Sequence, residues 1–199
     1  MHYKNKPNLE DLFVDLEHPN PNINKSAVEK MYSFWPNESR VRLLKNLDNK
    51  DITIRRKSIK ALSCFYPEIV KQIVSLFLTS EDKVLRLSCL KILVKIAANH
   101  DLDNFQSDIN HVIDSALNDL SVEVTLTFIS LLKQLGSQGK TVLIRLAKDN
   151  NILRSKAAIT ALSEFSDDSI TLLFKDLLNN DNLDPIIRES ALIALNLCD

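Results

Sequence analysis

Two matching tripeptides could bind a flat, acidic molecule. Phe-Trp-Pro at 34–36 and Phe-Tyr-Pro at 65–67 lie about 31 residues apart, and Arg40 and Lys71 follow them in the same register. An aromatic ring beside a cation attracts conjugated, negatively charged ligands and anchors protein partners. The predicted site for a ligand or a partner therefore consists of Trp35, Tyr66, Arg40, Arg42 and Lys71.

The same tripeptides also have a purely structural interpretation, which the sequence leaves open. Pro36 and Pro67 would end one helix and begin the next, because proline lacks the backbone N–H that a helix interior needs. The phenylalanines would then fill the core between repeats, as Phe165 would in a later repeat, and the tryptophan and tyrosine would wedge the turns.

Residues for other kinds of chemistry are scarce. The four histidines are scattered, no H-E-x-x-H or C-x-x-C spacing occurs, and two glycines cannot form a phosphate-binding loop. We expect no metal site and no permanently bound cofactor, and no catalytic residue can be assigned. Cys64 and Cys89 fall in the apolar helical pattern, which predicts reduced thiols in the core.

The candidate residues belong to a register of about 31 residues that recurs six times. Its reference positions are Asn24, Arg55, Arg86, Thr125, Ser155 and Arg188. Three residues later comes a mostly small residue, broken at Phe128, and seven residues later a large apolar one: Met31, Leu62, Leu93, Leu132, Leu162 and Leu195. This spacing is one face of a helix packed on a neighbour, and the period is typical of stacked helical hairpins. The arginines would form a structural ladder between repeats.

Helix-capping residues occur in the same register. Four positions before each reference lies an N-cap type: Asn20, Asp51, Asp82, Ser121, Asn151 and Asp184. The sequence therefore predicts an all-α fold, an α-solenoid in one domain spanning 1–199, with an N-terminal cap helix at about 8–17 and a lone terminal helix at about 185–198.

Composition narrows the class of partner. The net charge of −1 and the pI of about 6.4 provide no electrostatic case for a nucleic acid. No apolar stretch is long enough to span a membrane, and the polar N-terminus resembles no signal peptide, so we expect a cytoplasmic protein.

Two segments depart from the repeat pattern, and both are candidates for interactions at the protein surface. Residues 99–108 add about eight residues between the two helices of repeat three, which is either a functional loop or a tolerated insertion. The terminal helix is apolar around most of its circumference in its later turns, which favours a docked polypeptide over tolerated exposure.

The repeat register resembles that of a known family. The segments IRRKSIKAL (54–62) and IIRESALIAL (186–195) are similar to the HEAT-like repeats of the E/F-clan phycobilin lyases of cyanobacteria. The HPNPN turn at 18–22, the tripeptide at 34–36 and the length of 199 residues are most similar to the shorter, Z-type subunit of the phycoerythrin-specific Y/Z lyase pair.

The resemblance implies a subunit that helps to attach a phycobilin, an open-chain tetrapyrrole, to a cysteine of a phycobiliprotein. It implies a bilin substrate, a phycobiliprotein acceptor and a companion lyase subunit in a heterodimer, with this chain catalytic or chaperone-like. A non-enzymatic repeat scaffold that binds another protein stays open as the alternative.

Overall fold

The computed structural model describes residues 6–165 and 167–198, and of Cys198 only the backbone. These ranges contain α-helices and one 3₁₀ turn at Asp103–Phe105, with no β-strand. The helices are α1 (Leu9–Glu17), α2 (Pro21–Phe34), α3 (Pro36–Lys45), α4 (Ile52–Ser63), α5 (Val70–Thr79), α6 (Lys83–Ala97), α7 (Gln106–Leu117), α8 (Val122–Gln134), α9 (Gly136–Ala147), α10 (Ile152–Leu162), α11 (Asp168–Leu178) and α12 (Pro185–Cys198). The α-solenoid fold class is as predicted.

The chain forms two compact units, one up to Val112 and one from Ile113 onward, with the boundary inside α7. In the first unit, α1 packs on α2, α4 on α6, and α5 on α6. In the second unit, α9 packs between α8 and α10, and α12 contacts both α10 and α11. The assignment of 1–199 to a single domain stays a prediction.

All six predicted N-caps are present. In each case a side-chain oxygen accepts a hydrogen bond from a backbone N–H of the first helical turn, which would otherwise have no partner. The shortest, at 2.7 Å, join Asp51 to Thr53 and Asp82 to Leu85. The others are at Asn20, Ser121, Asn151 and Asp184. Short polar residues in register therefore set where the first helix of each repeat begins.

The two apolar columns form the core. The column three residues after the reference is buried in every repeat, including the bulky Phe128 at 1% exposed. The column seven residues after it is fully buried from Met31 to Leu162, and only Leu195 is half-buried.

The reference column makes hydrogen bonds that connect successive helices. Asn24 donates to the carbonyls of Asp15 and Leu16 at the end of α1, Arg86 to that of Phe77 in α5, and Ser155 to that of Ala147 in α9. Arg55 donates to the carbonyl of Asn49. The last carbonyls of a helix have no partner inside it and carry partial negative charge. For Arg55 and Arg86 the structural ladder is thereby confirmed.

Two core predictions near the helix ends need correction. Cys64 is exposed, whereas Cys89 is buried as expected. Phe34 is 36% exposed while Phe65 is 1% exposed, because α2 stays helical through Phe34 whereas α4 ends at Ser63 and a turn directs Phe65 inward.

The two prolines also differ. Pro36 is the first residue of α3, as predicted, but Pro67 lies in a turn and α5 begins only at Val70. Phe165, assigned to the core, is half-buried.

The terminal helix α12 exposes apolar side chains, as the sequence indicated. Ile193 is 56% exposed and Leu197 69%, while Ile187 and Ala191 face the core of the second unit. No helix within the described ranges is long and apolar enough to cross a membrane.

Candidate functional site

The five predicted site residues are called the turn surface here: Trp35, Arg40, Arg42, Tyr66 and Lys71. Trp35 lies between α2 and α3, and its indole Nε1 donates to the carbonyl of Pro7 at 2.9 Å. The ammonium of Lys6 lies 3.2 Å from the centre of the indole, which is a cation–π contact. The ring therefore holds the segment that precedes α1.

The cations of the turn surface differ in their contacts. Arg42 forms an ion pair with Glu10 at 2.6 Å and stacks over the ring of Phe13 at 3.9 Å, so it holds α1 against α3. Arg40 donates to Asn37 on its own helix at 2.6 Å. Lys71 is exposed, and its ammonium has no hydrogen-bond partner in the part of the chain that the structure describes.

Tyr66 contacts the inserted segment of repeat three. Its ring stacks on His100 with centroids 4.2 Å apart and planes 13° from parallel, and Phe105 approaches it edge-on at 6.2 Å. Its hydroxyl donates to the carbonyl of Asp101 at 2.8 Å. The second tripeptide and the insertion, two separate irregularities in the sequence, are thus one packed unit.

The turn surface therefore has mainly internal partners. Among the described residues, no ring contact or hydrogen bond joins Trp35 to Tyr66; one contacts residues 6–7 and the other residues 100–105. These contacts are those of the structural interpretation, in which the rings wedge the turns. Ligand or partner binding by the turn surface stays a prediction.

A cavity of about 460 Å³ opens in the first unit between α1, α2 and α4. We call it the A-helix groove, since α2 and α4 are the first helices of their repeats. Leu16 and Ala61 are buried, and Val28 is 7% exposed, so these three side chains form its apolar floor. A groove of this size lies within the roughly 300–1,000 Å³ of small-molecule sites.

Polar and aromatic side chains border the groove. Tyr32 is 41% exposed and meets Phe65 edge-to-face at 5.5 Å. Lys57 donates to the carbonyl of Glu17 at 2.7 Å and pairs with its carboxylate at 3.1 Å. Lys60 is exposed, and no described residue accepts a hydrogen bond from its ammonium. The groove combines apolar area, one ring and an unengaged cation.

The groove also contains a thiol. Cys64 is the C-cap residue of α4, is exposed, and donates weakly to the carbonyl of Lys60 at 3.6 Å. Cys89 differs, because burial raises the pKa of its thiol to about 12 and keeps it protonated. Cys64 is therefore the accessible thiol of this pair.

The A-helix groove was not found from the sequence. Its residues come from three helices, and each looks individually like a solvated helix face. One signal was available: Lys60 and Cys64 are four residues apart, so they share a face of α4 that is neither the small nor the large core column. Which neighbour that face meets depends on the packing of α2 on α1.

Comparison with known proteins confirms the resemblance to Z-type proteins. The chain is 24% identical over 189 residues to the uncharacterized phycocyanin operon protein Z of Pseudanabaena tenuis, covering 94% of both chains. It is also 24% identical over 169 residues to the bilin biosynthesis protein CpeZ of a Synechococcus species, covering 82% of this chain and 91% of that protein. No family model matches the chain.

Solved structures support the fold class. A designed armadillo repeat protein in complex with the peptide (KR)4 superposes with a TM-score of 0.51 at 14% identity. The alignment covers 97% of this chain and 100% of that protein. At this identity the likeness concerns the fold alone.

Proposed function

We propose that this protein assists the attachment of a phycobilin to a cysteine of a phycobiliprotein, with phycoerythrin as the acceptor, and that it acts with a companion lyase subunit. The observation that carries the proposal is similarity to two Z proteins over most of the chain, one of them named for bilin biosynthesis. In this proposal the bilin lies in the A-helix groove.

The chemistry of the groove supports this placement. An open-chain tetrapyrrole has conjugated rings, which need apolar and aromatic contacts, and two propionates, which need cations. Val28 and Ala61 offer the apolar floor and Tyr32 a half-exposed ring. Lys60 lies on α4 and Lys25 on α2, so the two propionates could be met from opposite walls.

The role proposed for these residues is positioning rather than covalent catalysis. The acceptor protein supplies the thiol, which adds across the exocyclic double bond of the bilin: the sulfur bonds to the vinyl-derived carbon, the π bond is lost, and the proton goes to the neighbouring carbon. The groove would hold the pigment in one orientation and shield it from water. Fixing the reactive carbon in this way lowers the entropic cost of its reaction with the thiol. This role fits either a lyase subunit or a chaperone-like partner.

Absorbance after co-expression tests the proposal. The chain, or its double variant Tyr32→Ala with Lys60→Glu, would be produced with bilin-synthesising enzymes and apo-phycoerythrin subunits, with and without a companion lyase. We expect the double variant to attach at least about tenfold less pigment, since it removes a ring contact and reverses a charge.

Lys156→Glu is the matched control for charge, because Lys156 is an exposed lysine in the middle of α10. It should attach pigment like the wild type. Full attachment by a folded Tyr32→Ala, Lys60→Glu variant would rule out the groove. No pigment attachment with the wild-type chain, under conditions where the companion and acceptor are folded, would rule out the function.

The turn surface provides the competing location for the bilin. Combined Trp35→Ala and Arg40→Ala changes should abolish attachment with helical content retained if the pigment lies there. Unchanged attachment in that folded double variant removes the turn surface from consideration.

The alternative function is a scaffold that binds another protein and no pigment. The exposed Ile193 and Leu197 of α12 favour a polypeptide partner. A scaffold should not retain bilin, so a colourless purified chain that still captures an acceptor subunit would favour this alternative.

A further inference from the structure

The exposed face formed by α4 and α6 carries a cluster of positive charges. Neither helix contains an aspartate or a glutamate within its bounds. Arg56 and Lys60 are four residues apart on α4, and Lys91 and Lys95 are four residues apart on α6. Residues at this spacing share a helix face about 6 Å apart. We call these four residues the basic face.

The basic face is one continuous patch. The helices α4 and α6 pack directly on each other, which brings their axes to about 8–10 Å. All four side chains are exposed, and no described residue forms a hydrogen bond or ion pair with their charged groups. The repeat register places Lys60 level with Lys91, so cations of the two helices are neighbours, and they repel one another because nothing within the helices neutralises them.

The environment of Lys91 shows this repulsion. Partial burial lowers the pKa of Lys91, and the positive charges of Arg56 and Arg55 lower it further. A protein whose charges sum to −1 keeps cations together here. Such a concentration of charge costs stability and is typical of binding surfaces.

The repeat itself does not require these cations. The positions equivalent to Lys60 and Lys91 in α8 and α10 are Ser130 and Thr160, and neither is charged. Those helices form the same buried columns without lysine at this position. Packing of the repeat therefore does not account for the lysines at positions 60 and 91.

Aliphatic side chains extend the basic face toward the starts of both helices. Ile52, four residues before Arg56, is 49% exposed, and Val84, seven residues before Lys91, is 37% exposed. Mixed aliphatic and cationic area suits a protein partner, because protein interfaces combine an apolar part with a charged rim. A nucleic-acid site would need a larger excess of cations.

We infer that the basic face docks an acidic protein surface and, resting on the proposed function, that this surface belongs to the acceptor subunit. The fitting partner presents carboxylates about four residues apart on a helix, next to small apolar side chains. Docking there would bring the acceptor beside the A-helix groove, because Lys60 borders both.

Two double variants test the inference without touching the groove. Arg56→Glu with Lys91→Glu reverses two charges of the basic face. Lys148→Glu with Lys156→Glu makes the same change in net charge at exposed lysines of the second unit. Each folded variant is titrated with a helical peptide carrying glutamates at i, i+4 and with the apo-acceptor subunit, at about 0.02 M and 0.3 M salt.

At low salt we expect binding of both probes to weaken about tenfold in the basic-face variant and not in the control. The difference should shrink at 0.3 M salt, where charges are screened over about 6 Å. Equal binding of the peptide by both variants, or no binding by the wild type, would show that the basic face is not a docking surface. Tighter binding of an oligonucleotide than of either acidic probe overturns it in favour of nucleic acid.

The acceptor arm separates the two proposals. Peptide binding that depends on the basic face, without any binding of the acceptor, keeps the docking surface and overturns the identity of its partner. Acceptor binding that depends on the basic face, in a chain that retains no bilin, keeps the docking surface and rejects the bilin groove.

Discussion

The turn surface and the A-helix groove are both lined by aromatic and cationic side chains, but they differ in what those side chains contact. In the turn surface, Tyr66 is covered by His100 and Arg42 is paired with Glu10. In the groove, Tyr32 is 41% exposed and Lys60 has no partner among the described residues. The side chains of a repeated motif can therefore be engaged in contacts within the protein, while a helix face without any motif remains open to a ligand.

The difference has a physical cause. A large ring at a turn lies near chain segments that lack regular hydrogen bonds, so it can cover their backbone and accept or donate to them. Tyr32, near the end of α2, instead contacts side chains of the turn after α4: its ring meets Phe65 edge-to-face and its hydroxyl donates to Glu68. Matching substitutions at Tyr66 and Tyr32 therefore compare the turn surface with the A-helix groove directly.

The largest difference we expect is in thiol reactivity. Cys64 borders the groove and is exposed, whereas Cys89 is buried with its pKa raised to about 12. In a Cys198→Ser background, iodoacetamide at pH 8 should alkylate Cys64 at least about a hundredfold faster, because thiolate and access are both required. Mass spectrometry of the two tryptic peptides measures the ratio, and comparable rates would mean that the groove is closed.

Removing each tyrosine ring should separate the regions by stability. Tyr66→Ala should lower the free energy of unfolding by about 3 kcal/mol, because it removes a stacked ring, an edge-on ring contact and a hydrogen bond. Tyr32→Ala loses one edge-to-face contact and should cost about 1 kcal/mol. Urea unfolding measures both, and equal costs would contradict the comparison.

Removing only the hydroxyls should give a smaller difference of the same sign. Tyr66→Phe loses a 2.8 Å hydrogen bond to the carbonyl of Asp101 and should cost about 1 kcal/mol. Tyr32→Phe loses an exposed 3.4 Å contact with Glu68 and should cost nearly nothing. The same urea titrations apply, and a cost at Tyr32 as large as that at Tyr66 would show that the groove tyrosine is held in place.

Neutralising one cation in each region should produce a still smaller effect. Arg42→Gln removes an ion pair whose partners are 44% and 69% exposed, so its loss should cost less than about 1 kcal/mol and vanish in 1 M salt. Lys60→Gln should cost no stability at any salt concentration, and at low salt it should relieve part of the repulsion within the basic face. A salt-sensitive loss at Lys60 would reveal an ion pair there.

The smallest effect should be a pH dependence that both regions share through α4. The backbone hydrogen bond from Thr53 lowers the pKa of Asp51, the N-cap of this helix, below its ordinary value of 3.8. Because the folded-state pKa is depressed, this stabilisation is present above pH 3.8 and is lost as the pH falls below that value. Asp51→Asn keeps a capping oxygen but no titrating carboxylate. In a plot of Tm against pH, the fall of Tm at acid pH should therefore be smaller in this variant, by a few degrees at most. An unchanged fall of Tm would mean that Asp51 contributes nothing to it.

Much of the fold could be predicted because its signals are local. An N-cap at Asp82 and a small residue at Cys89 act within two turns of one helix, so spacing alone locates them. Gly136 follows the end of α8, and its φ of +56° is one that glycine adopts at little cost. The misplaced Cys64 and Phe34 lie where helices end, and there a shift of one or two residues rotates a side chain between core and solvent.

The site could be predicted only in part. Periodicity showed that Trp35 and Tyr66 are equivalent, but their partners lie 28 and 35 residues away in segments without a repeat pattern. The sequence alone shows the cations of the basic face as two separate pairs, Arg56 with Lys60 and Lys91 with Lys95. That the two pairs are neighbours follows only from the packing of α4 on α6.

The sequence by itself determined the repeat, the helix starts, the buried columns and the resemblance to Z-type lyase subunits, since each depends on residue types at fixed spacing along the chain. Tertiary structure decided which side chains remain unoccupied: it covered Tyr66, opened the groove beside Tyr32 and placed Arg56 next to Lys91. The physical reason is that availability for a ligand depends on what else is near, and neighbours across helices are set by packing.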